Sequence, residues 1–166
     1  MGTVQLIVEA LLLMFPAYCA NAIPVITGGG RPIDFGKRFS DGKPIFGKNK
    51  TFRGLFSGLA VGTAVGFIES LVFEYHMLFG LFLSLGALFG DLVGAFVKRR
   101  LGLAPGELLP IVDQVDFIIG AILFSVPICL PTLSWQLVIA VLIITPPVHL
   151  LTNFAAYKLG LKSNPW

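Results

Sequence analysis

The chain has 166 residues, 55% of them hydrophobic and only 13% charged, with a mean hydropathy of +0.86 and a formal net charge of +3. Ordinary soluble domains carry about 25% charged residues, so this composition excludes that class. It marks an integral membrane protein, one domain by length.

A bilayer core about 30 Å thick takes about 20 mostly apolar residues per helical crossing. Five such windows run in chain order, at about residues 4–26, 54–73, 77–97, 109–130 and 132–152. The expected fold is an all-α integral membrane protein with five transmembrane helices. The first window is read as a helix and not as a cleaved signal, because no Lys or Arg precedes it and its apolar stretch is long.

The 12 Lys and Arg residues are distributed unevenly. Seven lie between windows one and two (Arg31, Lys37, Arg38, Lys43, Lys48, Lys50, Arg53), three follow window three (Lys98, Arg99, Arg100), and Lys158 and Lys162 close the chain. The connections at Glu74, Tyr75 and His76 and around Pro131 have none. Positive residues stay on the cytoplasmic side. The N-terminus is therefore expected outside, with loops 27–53 and 98–112 and the C-terminal tail forming a polar cytoplasmic face.

The first window ends "FPAYCANAIPV", with Pro16 and Pro24 bracketing Asn21. Proline inside a membrane helix frees backbone groups that side chains, water or a cavity must satisfy. Two readings stand: a kink with Asn21 bonded to a neighbouring carbonyl, or the wall of a polar cavity.

Loop 27–53 is long enough to be functional by length alone. Its cations alternate with Gly, Pro, Asn and Thr and face only two carboxylates, Asp34 and Asp41. That pattern suits shaped anion recognition better than a polybasic lipid-binding run. The segment "GKPIFGKN" approaches a phosphate-binding P-loop, but Asn49 stands where Ser or Thr should hold magnesium, and the strand, loop, helix context is missing. Backbone amides and lysines facing phosphates remain the expectation.

In the third window Gly86, Gly90 and Gly94 recur every four residues, a small-residue face for packing within one chain or between two copies of a homodimer. Asp91 sits beside that ladder, and a carboxylate at such depth is a functional candidate by default. Lys98 returns to nearly the same helical face about 10 Å further on. At the start of the fourth window, Asp113 and Asp116 share a helical side by their three-residue spacing. Oxygen-only ligands favour a hard ion, Mg²⁺ or Mn²⁺, held by one or two carboxylates together with substrate phosphates.

The fifth window ends "HLLTNFAAYKLG", aligning His149, Asn153 and Tyr157. His149 reads as a hydrogen-bonded packing residue, and Tyr157 and Trp166 as interfacial anchors. Neither Cys19 and Cys129 nor His76 and His149 have metal-ligand spacing, so zinc is not expected. Glu9 and Glu69 lie toward the outer side and are assigned no chemistry. Nothing points to nucleic acid.

The segments "FPAYCANAIPV", "DFGKRFSDGKPIFGKNKTFRG", "GDLVGAFVKRR", "DQVDF" and "HLLTNFAAYKLGLKSNPW" resemble the CDP-archaeol synthases along the whole chain. Residues 90–116 also resemble the C-terminal signature of the phosphatidate cytidylyltransferases, though its Pro-Gly-His-Gly-Gly element is reduced to Pro105-Gly106. The resemblance implies that CTP and 2,3-bis-(geranylgeranyl)-glycerol 1-phosphate give a CDP-lipid and pyrophosphate with Mg²⁺. On that reading Asp91, Asp113 and Asp116 hold the metal. Lys98, Arg99 and Arg100 bind lipid phosphate or triphosphate. Lys37, Lys48, Lys50, Thr51 and Arg53 bind nucleotide phosphates, and Asn21 with the Asp34 to Asp41 portion contacts base or ribose. An ester-lipid cytidylyltransferase, a small transporter and a lipid-binding scaffold are the rival readings.

Overall fold

The computed structural model describes residues 2–73, 75–129 and 133–166. Glu74 and Pro131, placed in the two cation-free connections, lie outside the described residues, as does the side chain of Cys129. Five helices follow in order: α1 (Thr3–Thr27), α2 (Phe52–Phe73), α3 (Phe79–Arg100), α4 (Val112–Cys129) and α5 (Trp135–Lys158). Four of them, α1, α2, α3 and α5, are long and apolar enough to cross a membrane.

Helix boundaries differ from the hydropathy windows where local chemistry overrides composition. Helix α4 begins at Val112 rather than near 109, because Ile111 adopts a left-handed conformation at φ 69 just after Pro110. Helix α5 begins at Trp135, where the Ser134 side chain accepts a hydrogen bond from the Leu137 amide at 3.2 Å, an N-cap. It runs on to Lys158 rather than stopping near 152, so His149 and Asn153 belong to one continuous helix. It ends where Gly160 turns left-handed at φ 74 and the Leu161 amide reaches back to the Ala156 carbonyl at 2.9 Å, a Schellman closure. Helix α3 likewise extends through Lys98, Arg99 and Arg100.

Helix α1 touches all four other helices, and α3 packs on α1, α2 and α4. The core between them is built from Leu13, Met14, Ala17, Phe79, Leu83, Phe117 and Ile118, all at 3% exposure or less. Ile68, Leu71, Leu123 and Ile143 point outward, each above 60% exposed. Apolar residues facing out and close contacts facing in are what a lipid solvent selects, since burying Leu from lipid gains little.

Two glycine ladders set the helix spacing. On α3, a methyl group at Gly86 would collide with the Gly120 carbonyl, at Gly90 with the Asp116 carbonyl and at Gly94 with the Asp116 carboxylate. This ladder is therefore used within the chain, against α4. The second ladder, Gly54, Gly58, Gly62 and Gly66 on α2, is a feature the sequence reading did not single out. It admits α1 and α3: a methyl group at Gly58 would lie 2.5 Å from the Ala20 carbonyl oxygen, and one at Gly62 would meet Ser84 Oγ.

The loop from α1 to α2 folds back on itself. Pro32 pairs with Thr51 and Arg38 with Pro44 in two isolated antiparallel bridges. Asp34, 5% exposed, staples this excursion. Its Oδ1 accepts from the Gly36 amide at 2.9 Å, and its Oδ2 from the Phe46 and Gly47 amides at 3.0 and 2.9 Å. Burial pushes the Asp34 carboxyl upward, but the Gly47, Phe46 and Gly36 N–H donors outweigh it and hold the group below its ordinary 3.8. A carboxylate depressed in the folded state stabilises the loop above its unfolded pKa, and that contribution is lost as pH falls through the folded value.

Asp34→Ala is accordingly expected to speed hydrogen exchange at Phe46 and Gly47 by about tenfold or more, as loss of charge-assisted bonds requires. In the wild type the same amides should keep their protection above about pH 5 and lose it as pH falls below about 4, after correction for intrinsic exchange. In Asp34→Ala that loss should be absent. Exchange mass spectrometry of peptides covering these residues reads both.

Candidate active site

The bundle opens at one end into a cavity of about 520 Å³, within the range of small-molecule sites. Its floor comes from the ends of α3 and α4. Asp91, Lys98 and Arg99 descend from α3, and Asp113 and Asp116 from the first turns of α4. The seven-residue spacing of Asp91 and Lys98 and the three-residue spacing of the α4 carboxylates bring all four to one wall, as helical geometry requires. The folded loop contributes Lys48, Asn49, Lys50 and Thr51, and α1 contributes Asn21 and Pro24.

Charge is arranged in pairs. Lys50 Nζ lies 2.6 Å from both Asp91 oxygens, and Lys98 Nζ lies 2.6 Å from Asp113 Oδ2. Asp113 Oδ2 also accepts the Leu109 amide at 3.0 Å, which fastens the turn before α4. Asp116 is wedged beside Gly94, with its Oδ1 accepting the Phe117 amide at 2.6 Å. Thr51, 3% exposed, accepts the Gly54 amide at 3.2 Å through Oγ1 and so caps α2 while its helix N-terminus borders the cavity.

Asn21 borders the cavity from α1. Five residues expected at the site do not line it. Lys37 and Arg53 are exposed on the surface. Asp41 and Arg100 pair with each other at 3.0 Å. The Arg100 guanidinium also lies over the Phe39 and Phe96 rings at 4.9 and 4.8 Å and donates to the Pro44 carbonyl. That cluster fastens the loop to the end of α3. Asp34 is likewise consumed by backbone amides.

The structure adds residues that the sequence had given no part in the site. His149 and Asn153 line the cavity from α5, 3.2 Å apart between Nε2 and Nδ2, and the His149 ring packs 5.7 Å from Phe117. Lys162, Asn164 and Trp166 close the cavity from the C-terminal tail. Trp166, expected as an interfacial anchor, donates its indole N–H to the Gly106 carbonyl at 3.3 Å, as does Asn164 Nδ2. Burial and the nearby Lys50 and Lys98 charges push the Lys162 ammonium down to about 8, against the pull of Asp113 and Asp91. The available signal was a short polar run directly after the Gly160 helix stop.

Among the described residues, no three His, Cys, Asp or Glu side chains gather into a metal cage. The donor set nevertheless suits a hard cation. It is all oxygen, and ammonium groups already rest on Asp91 and Asp113, so these carboxylates favour positive charge where they stand.

Residues 3–166 match the CarS-like family of CDP-archaeol synthases. The chain belongs to that family. The CDP-archaeol synthase of Methanococcus aeolicus is 43% identical over the full length of both chains. That of Pyrococcus furiosus is 46% identical, covering 96% of this chain and 98% of its own. A solved structure of an intramembrane enzyme of archaeal membrane lipid biosynthesis aligns with TM-score 0.79 and 40% identity, over 89% of this chain and 94% of that one. The fold of this chain thus places a polar cavity at one end of an apolar bundle.

Proposed function

We propose that this chain is a Mg²⁺-dependent cytidylyltransferase, a single membrane-embedded domain that makes unsaturated CDP-archaeol and pyrophosphate from CTP and 2,3-bis-(geranylgeranyl)-glycerol 1-phosphate. The observation that carries the reading is the juxtaposition of the Asp91–Lys50 and Asp113–Lys98 pairs in one cavity, which this reading puts at the membrane boundary. A water-soluble nucleotide and a lipid phosphate can meet only there.

In the reaction a lipid phosphate oxygen attacks the α-phosphorus of CTP, and the bond from that phosphorus to the bridging oxygen of the β-phosphate breaks. Pyrophosphate leaves with the electron pair. The attacking phosphate is already ionised, so no general base is needed. The protein must instead hold two anions together and neutralise charge, which is positioning and electrostatics. Lys48, Lys50, Lys98 and Arg99 supply the cations. The N-terminus of α2 borders the cavity and adds the positive end of its helix dipole, a setting favourable to phosphate. Asp91 and Asp113, with Asp116 behind them, would hold Mg²⁺ together with substrate phosphates. When bound, the ion supplies Lewis-acid stabilisation of phosphoryl charge. Asn21 lies on the wall available to the nucleoside.

The same reading makes α4 a fifth crossing, with the N-terminus outside and the cavity and C-terminus cytoplasmic. The one-sided placement of the 12 basic residues supports it.

Purified protein with radiolabelled CTP, Mg²⁺ and a panel of ether- and ester-linked lipid phosphates is expected to yield a labelled CDP-lipid, fastest with the unsaturated ether lipid. No product from any acceptor would refute the enzyme reading. A preference for ester lipids would overturn the substrate.

A further inference from the structure

The C-terminal tail carries a cation that neither the ion pairs nor the loop accounts for. The deep lysines are committed: Lys50 to Asp91 and Lys98 to Asp113. Lys162 lines the same cavity, and among the described residues no Asp or Glu lies within salt-bridge distance of it. Its Nζ donates only to the main-chain oxygen of Trp166, at 2.5 Å.

The tail that bears it is fastened weakly. After Gly160, residues 161–166 cross to the 102–107 turn, where Asn164 Nδ2 and Trp166 Nε1 share one acceptor, the Gly106 carbonyl, each at 3.3 Å. Two long bonds to one oxygen hold a segment in place without locking it. Ser163 and Trp166 are exposed.

We propose that residues 159–166 form a substrate clamp in which Lys162 binds the polyphosphate of the nucleotide, together with Lys50 and Lys98. The ligand chemistry is a phosphate anion, and the cytoplasmic side that the one-sided basic residues give the C-terminal tail assigns it to the nucleotide and not to the lipid. This inference rests on the CTP-dependent reading above. An arriving polyphosphate takes over the Trp166 oxygen's place on Nζ. The tail then orders over the bound nucleotide.

Steady-state kinetics of Lys162→Met and Lys162→Arg tests this. Loss of one charge-assisted bond is expected to raise the KM for CTP by about tenfold or more, with kcat within about threefold and the lipid KM unchanged. Inhibition by pyrophosphate should weaken in parallel, and Arg should restore most of the affinity. A purely structural tail would lower kcat or stability without this split.

Should Lys162→Met not fold, limited trypsin digestion of the wild type reads the same event. CTP or pyrophosphate, without lipid, is expected to protect the bonds after Lys158 and Lys162. An unchanged KM for CTP in Lys162→Met, a change confined to the lipid KM, or no protection by either anion would overturn the clamp. In each of those cases wild-type CDP-lipid synthesis would leave the enzymatic reading intact.

Discussion

Asp91→Asn is expected to remove CDP-lipid synthesis at every Mg²⁺ concentration while the protein remains folded in detergent. Asp91 sits on α3 with both carboxylate oxygens 2.6 Å from Lys50 Nζ, in the cavity that also holds Asp113 and Asp116. Asparagine keeps the shape and one acceptor for Lys50 but removes the charge. Stabilisation of phosphoryl charge by a bound cation is worth several kcal/mol, so kcat should fall about a hundredfold to a thousandfold. The ion pair is partly exposed, at 29% and 26% for the two side chains, so its own loss costs little stability.

Lys50→Met breaks the same pair from the other side and controls for it. If pairing were the whole role of Asp91, both variants would lose equal activity and keep the wild-type response to Mg²⁺. The expected result is different. Lys50→Met should retain Mg²⁺-dependent turnover with a raised KM for CTP, while Asp91→Asn should show no Mg²⁺ response. Near-normal turnover in Asp91→Asn would sink the metal assignment.

Gly90→Leu is expected to have the largest effect on the fold. A side chain there meets the Asp116 carbonyl directly and lies within 2.9 Å of the Asp116 carbonyl carbon and 3.0 Å of the Phe117 Cα. All three are backbone atoms of α4, so no rotamer change relieves the contact. Overpacking a core costs ~1–3 kcal/mol when side chains can shift, and here the helices must separate instead. A thermal unfolding midpoint in detergent several degrees lower, with lost activity, is the expected outcome. Gly90→Ala is the stricter measurement. Alanine gains about 1 kcal/mol over glycine in a helix interior, yet the collision should make it destabilising. Ile143→Ala, on the lipid face at 68% exposure, should leave the midpoint unchanged. A wild-type midpoint for Gly90→Leu would mean that α3 and α4 are not in close contact.

Activity should fall with stability in the Gly90 variants because the ladder also positions the site. Asp91 follows Gly90 in sequence, and Asp116 lies against Gly90 and Gly94. Separating the helices moves one carboxylate from the other.

Two kinds of information were legible before folding. Helix existence and the one-sided charge were readable because lipid imposes them residue by residue, through transfer energies and the positive-inside bias. Asp91, Lys98, Asp113 and Asp116 were readable as cavity residues because helical periodicity alone decides which side chains share a face. Loop residues were not readable in this way. Lys48, Lys50 and Thr51 line the cavity while Lys37, Asp41 and Arg53 do not, and no spacing rule separates them. The division depends on the Asp34 staple and on the Arg100 cluster, which joins residues more than 50 positions apart.

By itself, then, the sequence determined an apolar helical protein with carboxylates and cations collected at one end, since both follow from local composition and helical period. Only the tertiary structure decided that Asp91 pairs with Lys50, that Asp34 and Arg100 are spent on holding the loop, and that Lys162 and Trp166 close the cavity from the far end of the chain. Those choices depend on which backbones the two glycine ladders allow to touch, and a contact between distant segments leaves no periodic trace in either.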